Sequence, residues 1–354
     1  LVTQQPKLAV RGVGKRYGPV TALQPTSLTV SAGEFLTLLG PSGSGKTTLL
    51  MMIAGLTPAS EGVVELDGWD ITDLPAYRRN IGVIFQNYAL FPHLTVFENV
   101  AFPLRMRRLS ESEIARKVGR ALDLVQLGNF GARLPRELSG GQQQRVAFAR
   151  AIVFEPGLVL MDEPLGALDK KLRDELKLEI RKLHRDLGTT VVYVTHDQEE
   201  AMLLSNRICL MNNARVEQID APMALYQRPV SRFAATFLGE SNILSGVRVE
   251  GGVRIGERLL TTRHLDRLPQ NGACDLLIRP ERVMIGASDH AQNRFDALVR
   301  SSLDLGATRR LTLDLADGLR LDAITLGGGP APQEGDRLSV AVHPDDVVPL
   351  AGEA

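Results

Sequence analysis

The feature that most constrains this chain is the octapeptide Gly40-Pro41-Ser42-Gly43-Ser44-Gly45-Lys46-Thr47. It sits between an apolar run at residues 35–39 and a helical run that begins at Thr48. The spacing is G-x-x-x-x-G-K-[ST], in the strand–loop–helix setting that gives the pattern its meaning. Glycines let the backbone approach a ligand and turn N–H groups inward, and the helix N-terminus adds partial positive charge. Such a loop suits a nucleotide phosphate chain. Lys46 can neutralise the outer phosphates, and Thr47 can offer its hydroxyl to Mg²⁺. The candidate nucleotide contacts are therefore Gly40, Pro41, Ser42, Gly43, Ser44, Gly45, Lys46, Thr47 and Thr48, with a nucleotide and Mg²⁺ as ligands.

A second constellation follows about 115 residues later. Leu158-Val159-Leu160-Met161 reads as a buried strand and ends in Asp162-Glu163-Pro164. In an open parallel sheet, ligands lie beyond the carboxyl ends of the strands. Asp162 is then placed as a Mg²⁺ partner. Adjacent residues point in different directions, so Glu163 can face an attacking water as general base.

The surrounding pattern agrees with an α/β fold. Short apolar strands, such as residues 191–194, alternate with helical stretches up to about residue 240. Ser110-Glu111-Ser112-Glu113 is a capping box that opens a helix with Ile114, Val118, Leu122 and Val125 on one stripe. A second helix carries Leu172, Leu176, Ile180, Leu183 and Leu187, with Gly188 placed to end it. Beyond residue 240 the runs are short, β-like and broken by Gly, Pro and Asp, which predicts a small all-β domain. Charge divides at the same place. Residues 240–354 hold 13 Arg, no Lys and 17 acids, a net charge of −4, which leaves +4 on the first 239 residues. The expected domains are therefore residues 1–239 and 240–354.

Composition removes several alternatives. Over all 354 residues the formal net charge is zero, which argues against bulk electrostatic binding of nucleic acid. Cys209 and Cys274 are the only cysteines, too few for a disulfide framework or a zinc cage. The uncharged stretch 81–97 contains Gln86, Asn87, Pro92 and His93, so it does not read as a membrane span.

Leu138-Ser139-Gly140-Gly141-Gln142 opens another helix, with Ser139 as cap and glycines at the start: a second terminus suited to an anion. Together with the two constellations above, this pentapeptide resembles the signature of the nucleotide-binding subunits of ATP-binding-cassette transporters. The resemblance covers residues ~7–240 with the motifs in the family's order. It implies an α/β P-loop ATPase cassette with an inserted α-helical subdomain at about residues 87–150. It also implies a head-to-tail homodimer, in which Ser139, Gly140, Gly141 and Gln142 of one chain close on the nucleotide of the other. Further roles come from the same resemblance. Tyr17 matches the aromatic that stacks on adenine, although by itself it reads as a partly buried core residue. Gln86 matches the glutamine that contacts Mg²⁺ and the attacking water, and His196 the switch histidine at the γ-phosphate. Gly166-Ala167-Leu168-Asp169 resembles the family's D-loop; Gly166 stands where serine is frequent, and Asp169 is retained.

What such an ATPase would drive is a separate question. With one cassette and no apparent span, an importer motor would need two transmembrane permease subunits and an extracytoplasmic solute-binding protein, and would sit peripherally on the cytoplasmic face of the cell membrane. The apolar segment 87–100 beside Gln86 reads as a groove for a helix of a membrane partner. A soluble cassette ATPase without transport, or a regulatory module, are the other readings. Residues 277–283 and 342–347 resemble the small OB-like domain appended to some importer cassettes, the group that handles polyamines, sugars, ferric iron, sulfate and phosphonates. Residues 168–173 and 239–244 most resemble the spermidine/putrescine import ATPases.

Overall fold

The computed structural model describes residues 5–166, 168–268, 272–286, 292–315, 318–328 and 331–350. Two compact units emerge, Leu1–Pro222 and Met223–Ala354. That division lies upstream of the 239/240 change in charge and periodicity. The helix Arg232–Phe237 accounts for the difference, because Ala235 packs with Leu277, Val348 and Leu350 of the second unit.

In the first unit, strands β1 (Leu8–Tyr17), β2 (Val20–Val30), β4 (Glu61–Leu66) and β5 (Trp69–Asp70) form an antiparallel sheet in the order β2-β1-β4-β5. The larger sheet takes β3 (Phe35–Leu39), β6 (Ile81–Ile84), β7 (Leu158–Asp162), β8 (Thr190–Thr195), β9 (Arg207–Asn212) and β10 (Arg215–Asp220). Its order is β10-β9-β3-β8-β7-β6, parallel throughout except for β10.

The uninterrupted apolar strands are explained by burial on both faces. Alternate residues part cleanly. Phe35, Val159, Met161, Val191 and Tyr193 enter one core, and Leu36, Leu38, Leu158, Leu160, Val192 and Val194 enter the other. Helix α1 (Lys46–Ala54) fills the second core against the antiparallel sheet. Helices α2 (Val96–Met106), α3 (Glu111–Leu124), α4 (Gly140–Ile152) and α5 (Lys170–Leu187) fill the first. Helix α6 (Gln198–Leu204) follows β8.

The two predicted helices form where their signals lie. Ser110 and Glu113 close the capping box of α3, with Ile114, Val118 and Leu122 buried. Gly188, at φ 60°, ends α5. The α5 stripe fades at its C-terminal end, where Leu187 is exposed.

The segment 87–100 is not the apolar surface loop that its composition suggests. Thr95 and Glu98 form a capping box that starts α2 at Val96, and Tyr88, Val96 and Val100 are core residues. Buried Asn99 binds Phe91 in both directions and donates to the carbonyls of Leu94 and Thr95. Most of the apolarity is therefore spent inside the helical layer. Phe91 lies further out, with its ring centroid 4.7 Å from that of exposed Phe102.

The second unit begins with short helices and continues, among the described residues, as ten strands in two antiparallel sheets: β11 (Asn242–Val249), β12 (Gly252–Ile255), β13 (Arg258–Leu260), β14 (Ala273–Ile278), β15 (Val283–Ile285), β16 (Arg294–Asp304), β17 (Thr308–Leu315), β18 (Arg320–Leu326), β19 (Arg337–Val342) and β20 (Val348–Leu350). The orders are β13-β12-β11-β14-β20 and β15-β19-β16-β17-β18. Both sheets turn their apolar faces to one core, including Leu276, Ile278, Leu311, Leu313 and Val340. This is the all-β, OB-like architecture predicted for the C-terminal part.

Candidate functional site

At two points in the loop after β3, both backbone angle and close approach call for glycine. Gly40 has φ 154°, and a Cβ there would lie 2.2 Å from the Met211 carbonyl oxygen. Gly45 has φ 95° just before α1, and a Cβ there would press on Leu23 and Ala22 of β2. These constraints hold the loop around Lys46, which is buried and donates to the carbonyls of Gly40 (2.8 Å) and Pro41 (2.9 Å). Burial lowers the pKa of Lys46, and the Glu163 and Asp162 carboxylates oppose that shift.

The parallel register brings β3, β7 and β8 to a common end. Thr47 donates its hydroxyl proton to Asp162 Oδ1 at 3.0 Å. Burial raises the Asp162 pKa; the Thr47 hydrogen bond and Lys46 act against it, and Glu163 adds to it. Glu163 follows in a left-handed conformation, φ 42°, which a non-glycine residue adopts at a cost. Its N–H donates to the Val194 carbonyl at 3.0 Å, which pins the sharp turn to β8. His196 Nδ1 lies 3.2 Å from Glu163 Oε1. Gln86 belongs to the same cluster: its Nε2 and Glu163 Oε2 lie 3.6 and 3.8 Å from one point, the position of a Cβ on Gly166.

Lys46, Thr47, Gln86, Asp162, Glu163 and His196 are thus gathered at one end of the sheet. A hydroxyl, a carboxylate and an amide oxygen are hard oxygen donors, the kind Mg²⁺ takes together with phosphate oxygens and water.

Other predicted residues lie apart from this cluster. Ser139 caps α4 and closes a reciprocal box with Gln142. Gly140 and Gly141 abut Leu168 and Leu172, where a Cβ would come within 3.0 Å of either side chain. Asp169 caps α5, accepting from the Leu172 N–H at 3.0 Å. Ala167 lies outside the described residues. Tyr17 is 54% exposed at the end of β1, with the Lys15 ammonium 4.8 Å from its ring centroid.

Two supports around the site escaped the sequence reading. Arg150, at the end of α4, donates to the carbonyls of Tyr88 and Ala89, both at positive φ in the loop after Gln86. Glu200 is buried against Tyr193 and Thr195, where burial raises its pKa and the hydrogen bonds from those two hydroxyls act against the rise. The signal for Glu200 was its helical phase, which puts it on the buried face of α6 with Ala201 and Leu204.

Comparison with known proteins sets this geometry in context. The family described as ABC transporter matches residues 23–166, and the TOBE domain matches residues 276–350. The chain is 44% identical to the spermidine/putrescine import ATP-binding protein PotA of Rubrobacter xylanophilus, covering 98% of this chain and 91% of that protein. It is 47% identical to a sulfate/thiosulfate import ATP-binding protein of Chromobacterium violaceum, covering 88% of this chain and 87% of that one. A solved ATP-binding cassette, MJ0796, in a dimeric post-hydrolysis state bound to ADP and Pi, superposes with a TM-score of 0.55. It is 36% identical and covers 61% of this chain and 98% of its own.

Proposed function

This chain belongs to the ABC transporter family, as an ATP-binding subunit with a C-terminal TOBE domain, and from that premise we propose that it hydrolyses ATP to drive polyamine import. The observation that carries the reading is the contact chain Thr47–Asp162, Glu163–His196, with Lys46 and Gln86 beside it. Lys46 and the N–H groups of the loop neutralise the β- and γ-phosphates. Thr47, Asp162 and Gln86 would hold Mg²⁺, which would offset charge on the phosphate oxygens. Glu163 accepts the proton of the attacking water, and His196 holds the γ-phosphate side of the site. Tyr17 stacks on the adenine.

Two chains pair about a two-fold axis, and the capped start of α4, Ser139 to Gln142, completes the partner's nucleotide site. Asp169 lies at that junction. The cassette pair works peripherally on the cytoplasmic face of the cell membrane, beneath two permease subunits fed by a solute-binding protein. The side chains of Phe91 and Phe102 contribute to the permease contact. Among the described residues, no helix is long and apolar enough to cross a membrane.

Cargo is tested by spermidine and putrescine uptake in cells that rely on this chain, comparing it with Lys46→Ala. Loss of polyamine uptake alone supports the assignment. Unchanged uptake, with no other polyamine carrier operating, overturns the cargo and leaves the ATPase reading standing. The 47% identity to the sulfate/thiosulfate relative makes sulfate the second solute to measure.

A further inference from the structure

His196 lies between two residues that are themselves tied down. Thr195 donates its hydroxyl proton to Glu200 Oε2 at 2.7 Å, and Tyr193 donates to the same oxygen at 2.8 Å. All three side chains are buried. On the other side, the Asp197 N–H donates to Thr195 Oγ1 at 3.0 Å, and Asp197 Oδ1 accepts from the Glu200 N–H at 3.1 Å. Glu200 therefore anchors both neighbours of His196: Thr195 through its carboxylate and Asp197 through its backbone.

The second carboxylate oxygen of Asp197 turns toward α5. Arg173 Nη1 lies 3.6 Å from Asp197 Oδ2, and Arg173 Nη2 donates to the Leu168 carbonyl at 3.0 Å. Leu168 is the residue whose side chain meets Gly140 at the start of α4. One guanidinium thus spans the turn that leads into α5 and the loop that carries His196. Its planar fork can serve two acceptors at once, which a lysine ammonium on a flexible stem does less rigidly.

We propose that Arg173 is a positioning residue for hydrolysis: it ties the loop that carries His196, whose flanking residues Glu200 locks, to the Leu168 turn beside the start of α4. Arg173 does not touch the reacting atoms. Its role is to keep His196 aligned with Glu163, so displacement of the Leu168 turn is felt as a change in turnover. The inference rests on the assignment of Glu163 and His196 to the catalytic site.

The test is a mutant cycle in steady-state ATP hydrolysis by the full chain: Arg173→Ala, Asp197→Asn and the pair together. Asparagine keeps the Oδ1 acceptor that caps α6 and removes the charge that faces Arg173. Each single variant is expected to lower kcat about 10-fold, the size associated with slight misplacement of a catalytic group, with KM for ATP within about twofold. The double variant should be no slower than the slower single one, because both changes break the same link. Arg173→Lys should recover only part of the rate. Because Arg173 and Asp197 are partly exposed, thermal midpoints should shift little, which separates misalignment from unfolding. An unchanged kcat in Arg173→Ala, a change confined to KM, or effects that multiply in the double variant would each overturn the proposal. Glu163→Gln, measured alongside, separates the two levels. If it is inactive while Arg173→Ala is normal, the link fails and the catalytic assignment stands; if it is normal, the catalytic assignment itself fails.

Discussion

Lys46 in the cassette and Arg279 in the C-terminal unit are each 5% exposed, and they use their charge in opposite ways. Arg279 donates to the carbonyls of Ala235, Glu240 and Tyr226 and to the Ser241 hydroxyl, with its guanidinium 4.1 Å from the Tyr226 ring centroid. The donors on its two Nη nitrogens hold the start of the second unit together. Lys46 donates to two carbonyls of its own loop and faces two carboxylates, one of them with a raised pKa. A buried cation enclosed by backbone acceptors is structural. One held in a glycine-dependent loop beside a buried carboxylate is a site in which stability has been traded for chemistry.

Three substitutions press on that contrast. Arg279→Met should have the largest effect, because it leaves several buried acceptors without a donor. A loss of about 3–5 kcal/mol is expected in denaturant unfolding, with ATP turnover per folded molecule unchanged. A loss of turnover without a loss of stability would erase the distinction between the two cations. Glu163→Gln comes next and should act on rate alone. Turnover falls about 100-fold, or about 2.7 kcal/mol in the barrier, while ATP binding persists in a filter or fluorescence assay.

Asp162→Asn has the smallest expected effect of the three, a change in stability whose sign is opposite to that of Arg279→Met. The folded-state pKa of Asp162 lies above its ordinary 3.8, so folding favours the protonated acid. Its contribution to stability is greatest below that value and falls as pH rises from there through the raised pKa. Asparagine keeps the acceptor for Thr47 and removes the charge. The nucleotide-free variant should therefore melt higher than the parent at pH 7, and the gain should vanish in acid. An unchanged or lower melting temperature at pH 7 would mean that Asp162 is not under electrostatic strain.

Much of this protein was legible along the chain. The loop at residues 40–47, the acid pair after residue 161 and the caps at Ser110, Ser139 and Gly188 are local signals, written in residue types whose backbone preferences act within a few positions. The change from an α/β pattern to an all-β one was readable for the same reason. The segment 87–100 was read less well. Its apolar residues report burial but not what they are buried against, so Val96 and Val100 read as surface until α2 was seen to pack into the helical layer.

By itself, then, the sequence determined the phosphate loop, the order of its motifs and the division into an α/β and an all-β region, because each follows from neighbours close in the chain. Only the tertiary structure decided that Asp162 meets Thr47 across 115 positions, that Glu163 meets His196, and that Arg173 reaches both Leu168 and Asp197. Those contacts depend on strand order and register in the large sheet. Register is a property of packed faces and hydrogen-bonded partners, and no single stretch of residues contains it.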